Sequence, residues 1–572
     1  MSKRVVGLDF ETEIDNDGNC KLLLCALYSE KYQRVFELEN RVEMLEFIIT
    51  LLFSGDKYVV FNASFDIEII MTILLRNGYK FIDDISKKAH KTMKLLASQS
   101  KIYKLTTYTM WEEKKRIIET EYIDLGNIIV GVKLKDVAKT FTDLEKGDYE
   151  VSKEDWEKFK EYCLLDAKIT YEAYKNICKQ LDGNYITIGA ASFDAMLKMA
   201  FGNNSKETNM KNFRAIYGDS SLEMDTHLRK WYIGGFGWCT HDERVELKVN
   251  SYDINSAYPY ECIQGLPTTN DMLIYDDYKE PNERYKYAFY KIRATGQIKE
   301  GYAPISPSKN IYGDSNRYIY EQEYVYLIKE YGKKSEFDWW HENMEIEYYE
   351  VEETILMKEA RNDIVKPFIL HYYHIKETST GVIRDLAKRI INSFTGKLGT
   401  NPIKDSPIFE LDERNKLVKA GTFESETETY AVHCVAVITS RVRSRLYEMD
   451  KFLREKGAKF RMYATDSVKY DASIGKVIPT SDKMGGWDIE HEDSDFIFLG
   501  LKAYIFDANN KQGKREVICA GISKDYKQLI QNDEFFANNL VKSLVSVRSG
   551  NGRIIYETYK RIVNPIKKKR RR

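Results

Sequence analysis

Residues 461–470 read RMYATDSVKY, from Arg461 to Tyr470. Met462, Tyr463, Val468 and Tyr470 give the stretch the apolar and aromatic content of a strand. One acid, Asp466, breaks it between two hydroxyl residues. A lone carboxylate in such a position costs free energy unless a cation sits on it. The segment therefore predicts a charged site at a strand break, with a second acid brought in from elsewhere. Another acid, Asp253, stands at the end of a strand in SYDINSAYPYE. A strand-end aspartate followed by a turn projects its carboxylate and exposed backbone into a cleft.

Positive charge is supplied by KETSTGVIRDLAKRIINSFTGKLG, which reads as a helix over about 379–395. Arg384, Lys388 and Asn392 recur every four residues, about 40° apart per step, and form one polar stripe. A solvated helix face is the default for such a stripe; a clamp on a triphosphate is the sharper reading.

The N-terminal part carries other acids. Asp9 and Glu11 close a strand in LDFETE, on one face by the period of two. Asn62 and Asp66 follow a second strand in VVFNASFD, with Asp66 in the first turn of a helix. Asp166 lies four residues after Tyr162 in a helix over roughly 152–180, so both point from one face. Singly, these acids read as a cap or solvated strand ends. Together they describe a carboxylate cluster that divalent cations would neutralise, and two Mg²⁺ ions held so would suit phosphodiester hydrolysis. Around them, KRVVGL, LLLCALYS and RVFELEN read as a strand meander. EMLEFIITLLF, KYVVFNA and FDIEIIMTILLRNGY then alternate helix, strand and helix, predicting an α/β domain ending near 187. Beyond it the pattern shows strand-like segments and one clear long helix, the polar-striped one.

At 572 residues the chain is too long for one core, and domains of ~100–200 residues imply about three or four units. With 43% hydrophobic and 31% charged residues it reads as globular and soluble, and no apolar run approaches the ~18–20 residues of a membrane span. The start, MSKRVVGLDFETE, has no export-signal pattern. Eight cysteines without a CxxC pair predict reduced thiols. A net charge of −1 excludes no partner, because a patch can be basic while the total is neutral. The terminal KKKRRR reads equally as a solvated tail and as a grip on phosphates.

DFETE, N-x-x-x-D and Y-x-x-x-D, in this order, resemble the three exonuclease motifs of family B DNA polymerases. The resemblance implies Asp9, Glu11, Asp66 and Asp166 as metal ligands, and Tyr162 as the residue orienting the attacking water. It puts Asn62 and Phe65 on a single-stranded 3′ end and Lys146 near the scissile phosphate. SYDINSAYPYE resembles the motif D-x-x-S-L-Y-P, with Ala257 in place of Leu. In that family Asp253, Asp466 and the backbone of Ile254 would hold two metals, while Tyr258 would pack on the deoxyribose. Lys388, Asn392, Ser393 and Gly396 match K-x-x-x-N-S-x-Y-G, with Thr395 where Tyr is usual. Arg384, Lys388, Asn392 and Lys376 would then contact the incoming nucleotide. YATDS is similar to Y-x-D-T-D-S, with Ala464 where the first aspartate is expected. Lys502 and Tyr504 resemble the K-x-Y element at the primer terminus.

Tyr232, Gly234 and Gly235 match Y-x-G-G, a DNA-contacting connector of the protein-primed, phi-29-type phage branch. That resemblance implies an α/β (α+β) chain: an RNase H-like 3′–5′ exonuclease domain over 1–187, then a right-hand polymerase domain over 188–572. The palm is expected over about 188–302, 356–370 and 431–524, the fingers over 371–398 and the thumb over 525–572. Two insertions, about 303–355 and 399–430, are expected for terminal-protein docking and for enclosing the DNA. The implied enzyme replicates a linear viral genome in a bacterial host's cytoplasm, with strand displacement and proofreading. It would use Mg²⁺ (or Mn²⁺), template-primer DNA, dNTPs and a terminal protein as primer, as a monomer that pairs with that protein at initiation, away from membranes. Two other readings stand beside it: an exonuclease whose synthesis is impaired by Ala464, and a purely structural DNA- or terminal-protein-binding subunit.

Overall fold

The computed structural model describes residues 3–14, 20–61, 64–97, 102–111, 115–129, 131–146, 155–241, 244–305, 311–312, 324–361, 363–413, 417–501, 503–508, 515–519, 540–549 and 552–561. Of Ile14, Cys20, Ser64, Phe65, Ile311, Tyr312, Cys519 and residues 540–549 and 552–561 it describes the backbone alone. Asn62, Lys502 and the KKKRRR tail lie outside the described residues.

The N-terminal sheet has eight strands in the order Tyr32–Glu37, Cys20–Ser29, Val5–Ile14, Lys57–Val60, Arg116–Asp124, Ile102–Trp111, Thr92–Ala97, Lys80–Phe81. The first three form the expected antiparallel meander, and Val5–Ile14 pairs parallel with Lys57–Val60. Alternation along the first strand buries Val6, Leu8 and Phe10 on one face and turns Gly7, Asp9 and Glu11 to the other. The helix Trp156–Gln180 packs on that second face. It comes so close that a Cβ on Gly7 would stand 2.0 Å from the carbonyl oxygen of Ala167. Only glycine permits this approach, and the approach brings Asp166 beside Asp9.

A second eight-stranded sheet runs Ile311–Tyr312, Phe236–Cys239, Arg461–Thr465, Ser467–Asp471, Val245–Ile254, Trp487–Gly500, Ala503–Phe506, Glu516–Cys519. Beside it lies a four-stranded sheet, Pro267–Tyr275, Met344–Glu359, Tyr287–Ile298, Tyr324–Glu330, against which the short helix Glu336–Asn343 packs. Ile403–Leu411 with Leu417–Glu426, and Leu540–Ser549 with Gly552–Arg561, are separate hairpins.

The polar-striped helix spans Gly381–Leu398 and is joined through Ser379 and Thr380 to a preceding helix, Val365–Thr378. The helix pair thus begins at Val365, not at 371. The single long helix expected after 187 needs correction too, because Val432–Glu455 is another, of 24 residues. Val432 through Arg443 are buried without interruption. A helix enclosed on all sides shows no 3.6-residue alternation, and its opening VHCVAVIT is rich in β-branched residues, so locally it reads as a strand.

Candidate active sites

Asp253 and Asp466 meet in the second sheet. Asp253 ends the strand Val245–Ile254 and lies directly across from Ser467. Asp466 occupies the tip between Arg461–Thr465 and Ser467–Asp471, where Ala464 pairs with Ser467. The tip is extremely tight: the Asp466 N–H donates to the Ala464 carbonyl at 2.9 Å, and Thr465 has φ +67°. A β-branched residue at positive φ is strained, and such strain persists only where its surroundings hold it. Burial first, then the neighbouring Asp466 and Glu490 carboxylates, push Asp253 up to about 7, against the pull of Lys469 and Lys388. Burial pushes Asp466 up to about 6, with Lys469 and Lys388 opposing and Glu490 adding.

The strained tip is backed by the glycine pair. Strand Phe236–Cys239 pairs with Arg461–Thr465, and a Cβ on Gly235 would lie 2.9 Å from Thr465 Cγ2. Gly234 and Gly235 are exposed, whereas Tyr232 packs into the main core with its ring against Gly399, at the end of the striped helix. Ala464 packs among Cys239, Val249, Phe460, Met462 and Phe496. Tyr504 belongs to the same apolar cluster at 8% exposure, with the Lys469 amine 5.4 Å from its ring. The Tyr504 ring lies between those of Phe496 and Phe506, at the position of the K-x-Y element.

On the striped helix Arg384, Lys388, Asn392 and Gly396 are all exposed. Thr395 faces the other way, buried, with its hydroxyl 3.3 Å from the Cys262 sulfur. Cys262 belongs to the turn of helix, Ala257–Cys262, that carries the half-buried Tyr258. Lys376 is 6% exposed and donates to Asn255 Oδ1 at 2.9 Å and Ser256 Oγ at 3.1 Å, bracing the turn that follows Asp253. Burial lowers this ammonium, and the charges of Lys388 and Arg384 lower it further, so the three cations converge.

The second centre lies in the N-terminal sheet. Asp9, Glu11 and Cys163 present ligand atoms within 4.8 Å of one another. Burial, then Asp166, Asp66 and Glu11, hold the Asp9 carboxyl well above its usual range. Burial and Asp166 raise Glu11 to about 7. Asp66, in the first turn of Ser64–Arg76, is raised to about 7 by burial and by Asp124, although backbone hydrogen bonds oppose this. Lys146 pairs with Asp166 Oδ2 and lies 4.5 Å from the centre of the Tyr162 ring. The other oxygen, Asp166 Oδ1, is buried and has no hydrogen-bond partner among the described residues. Of the acids and partners named from sequence, these six come together; the side chain of Phe65 lies outside the description.

Sequence reading passed over four residues at these centres. Lys469 and Glu490 flank Asp253 and Asp466, and Cys163 and Asp124 stand beside the first-strand acids. Lys469 was within reach, since it lies two residues after Ser467 on the same face of a strand. Asp124 closes a strand in EYIDLG, whereas Asp9 and Glu11, expected to close theirs, lie inside Val5–Ile14, which runs on three residues past Glu11. Glu490 carries no local signal.

The profile of DNA polymerase type B, organellar and viral, matches residues 53–456. The DNA polymerase of Bacillus phage phi29 is 25% identical over 596 residues, covering 96% of this chain and 98% of its own length. That of Bacillus phage M2 is 24% identical over 577 residues, covering 94% and 95%. The solved phi29 DNA polymerase complexed with primer-template DNA superposes with a TM-score of 0.79 at 20% identity, over 98% of this chain and 100% of that one. The expected fold, mixed α/β with an RNase H-like exonuclease part and a right-hand polymerase part, is therefore shared along the chain.

Proposed function

The chain belongs to the organellar and viral type B DNA polymerases, and on that premise we propose that it extends DNA at the Asp253–Asp466 centre and edits 3′ ends at the Asp9 centre. The carrying observation is the meeting of Asp253 and Asp466 at adjacent strand ends under three converging cations. Both centres are acid-rich and offer hard oxygen donors, and at the Asp9 centre a buried carboxylate oxygen lacks any partner among the described residues, so both suit Mg²⁺, with Mn²⁺ substituting. Asp253, Asp466 and the Ile254 backbone would hold the ions at one centre, and Asp9, Glu11, Asp66 and Asp166 at the other. When bound, these ions supply charge stabilisation to the entering and leaving oxygens of phosphoryl transfer.

The protein's own part is positioning. Arg384, Lys388 and Lys376 neutralise a triphosphate, with Asn392 on the same stripe. Tyr258 packs under the deoxyribose and leaves no room for a 2′-hydroxyl. Gly234, Gly235, Tyr232, Asn62, Phe65 and Lys502 serve the DNA strand. Tyr162 orients water at the editing centre, and Lys146, cation against its ring, stands near the scissile phosphate. The domain limits we propose are an exonuclease part over 1–187 and a polymerase part beyond, with the helix pair of the fingers starting at Val365.

We also propose protein priming: a terminal protein docks on the segment over about 303–355 and offers a hydroxyl to the first nucleotide. Strand displacement, a linear viral genome and the bacterial host cytoplasm go with that branch of the family. What supports this is likeness to the phage enzymes over nearly the full chain. Ala464 keeps the nuclease-only reading in play. Both are tested on one labelled primer-template with Mg²⁺ and dNTPs. Extension at saturating dNTP with degradation in its absence supports the proposal; degradation without extension overturns it in favour of the nuclease.

A further inference from the structure

Two buried arginines on the helix Val432–Glu455 tie the catalytic strands to a segment far from them in the chain. Arg443, 1% exposed, makes a two-pronged ion pair with Glu336, itself 3% exposed: Nε at 2.6 Å and Nη2 at 3.0 Å. Its remaining nitrogen, Nη1, donates to the Gly234 carbonyl at 3.1 Å and to the Ile233 carbonyl. Two residues earlier, Arg441 pairs in the same way with Glu330, at 2.7 Å through both Nε and Nη2. Its Nη1 donates to the carbonyls of Glu261 at 3.1 Å and Gly265 at 2.8 Å, at the end of the helical turn carrying Tyr258.

Both glutamates come from one short segment, Glu330 to Glu336, which clasps the long helix from two sides. Buried ion pairs are poor sources of net stability, because desolvation offsets most of the Coulomb gain. What a planar guanidinium offers instead is direction: it fixes the carboxylate and the backbone carbonyls in one geometry. For Arg443 those carbonyls precede Gly235, the residue against which the strained Thr465 rests. Thr465 in turn sets the adjacent Asp466.

We propose that Arg443, held by Glu336, is a positioning residue of the nucleotide-joining centre. It fixes the Ile233–Gly235 backbone as the surface on which the Thr465–Asp466 tip is pressed into its strained conformation. The inference rests on the reading of Asp466 as a holder of divalent cations. That reading has its own control, because Asp466→Asn must remove extension whatever happens at Arg443.

The test compares Arg443→Lys, and Arg443→Met combined with Glu336→Met, with the unaltered chain. The methionine pair removes both charges together and so avoids a stranded buried ion. The first readout needs neither metal nor activity: amide hydrogen exchange, without Mg²⁺, in the segment 463–467 and in the helix Trp156–Gln180. The second is single-nucleotide extension across Mg²⁺ and dNTP concentrations.

In the methionine pair, exchange at 463–467 rises and the half-saturating Mg²⁺ concentration for extension rises, each by about tenfold, as for residues that orient metal ligands. Arg443→Lys, which keeps a donor for the carbonyls, shows smaller shifts in both. Exchange in the Trp156–Gln180 helix, the dNTP KM and the thermal midpoint stay as they were. Either readout unshifted in the folded methionine pair, or exchange accelerated equally in both segments, overturns the proposal. Should the methionine pair fail to fold, Arg443→Lys decides alone by the same two readouts. Gly235→Ala, which pushes on Thr465 from the exposed side, must then shift them as well, and an unshifted result in either variant overturns the proposal.

Discussion

The backbone N–H of Ile254 donates to the carbonyl oxygen of Asp466 over 3.1 Å. This bond ties the end of one strand to the tip of another, joining the backbones that carry Asp253 and Asp466. Asp253 and Asp466 thus stand at neighbouring strand ends. The cost of burying acids there, with Glu490 adding its charge, is visible in their raised proton affinities, about 7 for Asp253 and about 6 for Asp466.

Replacing Asp466 with asparagine keeps the shape and removes the charge. Primer extension is expected to fall by more than about 100-fold, beyond the usual effect of residues that merely orient ligands. Removal of nucleotides from the 3′ end continues, because that centre lies in a different sheet. A variant that loses both activities while remaining folded would refute the division into two centres.

Asp9→Ala combined with Asp66→Ala is expected to end 3′ degradation and spare extension, read on the same labelled primer. A stability effect accompanies it. Glu11 and Asp66 titrate at about 7 in the fold, against ordinary values of 4.5 and 3.8, so between those limits the folded chain holds protons that the unfolded chain has released. Stability in chelator therefore falls as pH climbs through this window. The variant flattens that slope, and thermal unfolding between pH 5 and about 8 without divalent ions measures it. An unchanged slope would mean that the acids do not repel one another as described.

Ala464→Asp would restore the usual family acid, yet extension is expected to drop. The Ala464 side chain packs in an apolar cluster with Phe460 and Met462, and its carbonyl closes the Asp466 turn. A carboxylate at this half-buried position loses hydration among apolar neighbours and adds a further negative charge on the face that carries Asp253. Steady-state extension decides the matter, and a rate above that of the unaltered chain would show the tip to be a defect, not an alternative design.

His433 gives a pH signature independent of either centre. The imidazole is fully buried, with Nε2 3.0 Å from the Tyr217 carbonyl oxygen, and burial lowers its affinity for a proton from 6.5 to about 4. Between those values the unfolded chain takes up a proton that the fold refuses, so stability is complete above about 6.5 and is lost as pH falls toward 4. The contribution reaches at most about 3 kcal/mol. His433→Gln, which still offers a donor to Tyr217, removes this part of the slope. Parallel unfolding curves for the two chains from pH 7 to about 4 would sink the assignment.

Much of the site was legible because its chemistry sits at strand ends and in first helical turns. Asp9, Glu11, Asp253 and Asp466 announce themselves by alternation that stops at an acid, and Arg384, Lys388 and Asn392 by a four-residue repeat. The departures were legible in identity but not in consequence. Thr395 stands where a family tyrosine is usual, and the fold turns it away from the exposed stripe toward Cys262. Ala464 shows a missing acid, and the fold shows a turn tightened around that absence.

By itself the sequence determined the residue chemistry, the mixed strand-and-helix order and the identity of both acid sets, since each of these depends on neighbours within a few positions. Tertiary structure alone decided that Val432–Glu455 is a helix, that Gly7 admits Ala167, and that Arg443 reaches from Glu336 to the backbone behind Thr465. The physical reason is range. The first half of that helix is enclosed throughout and has no polar face to mark its period, and a close approach or a buried ion pair is written half in one segment and half in another.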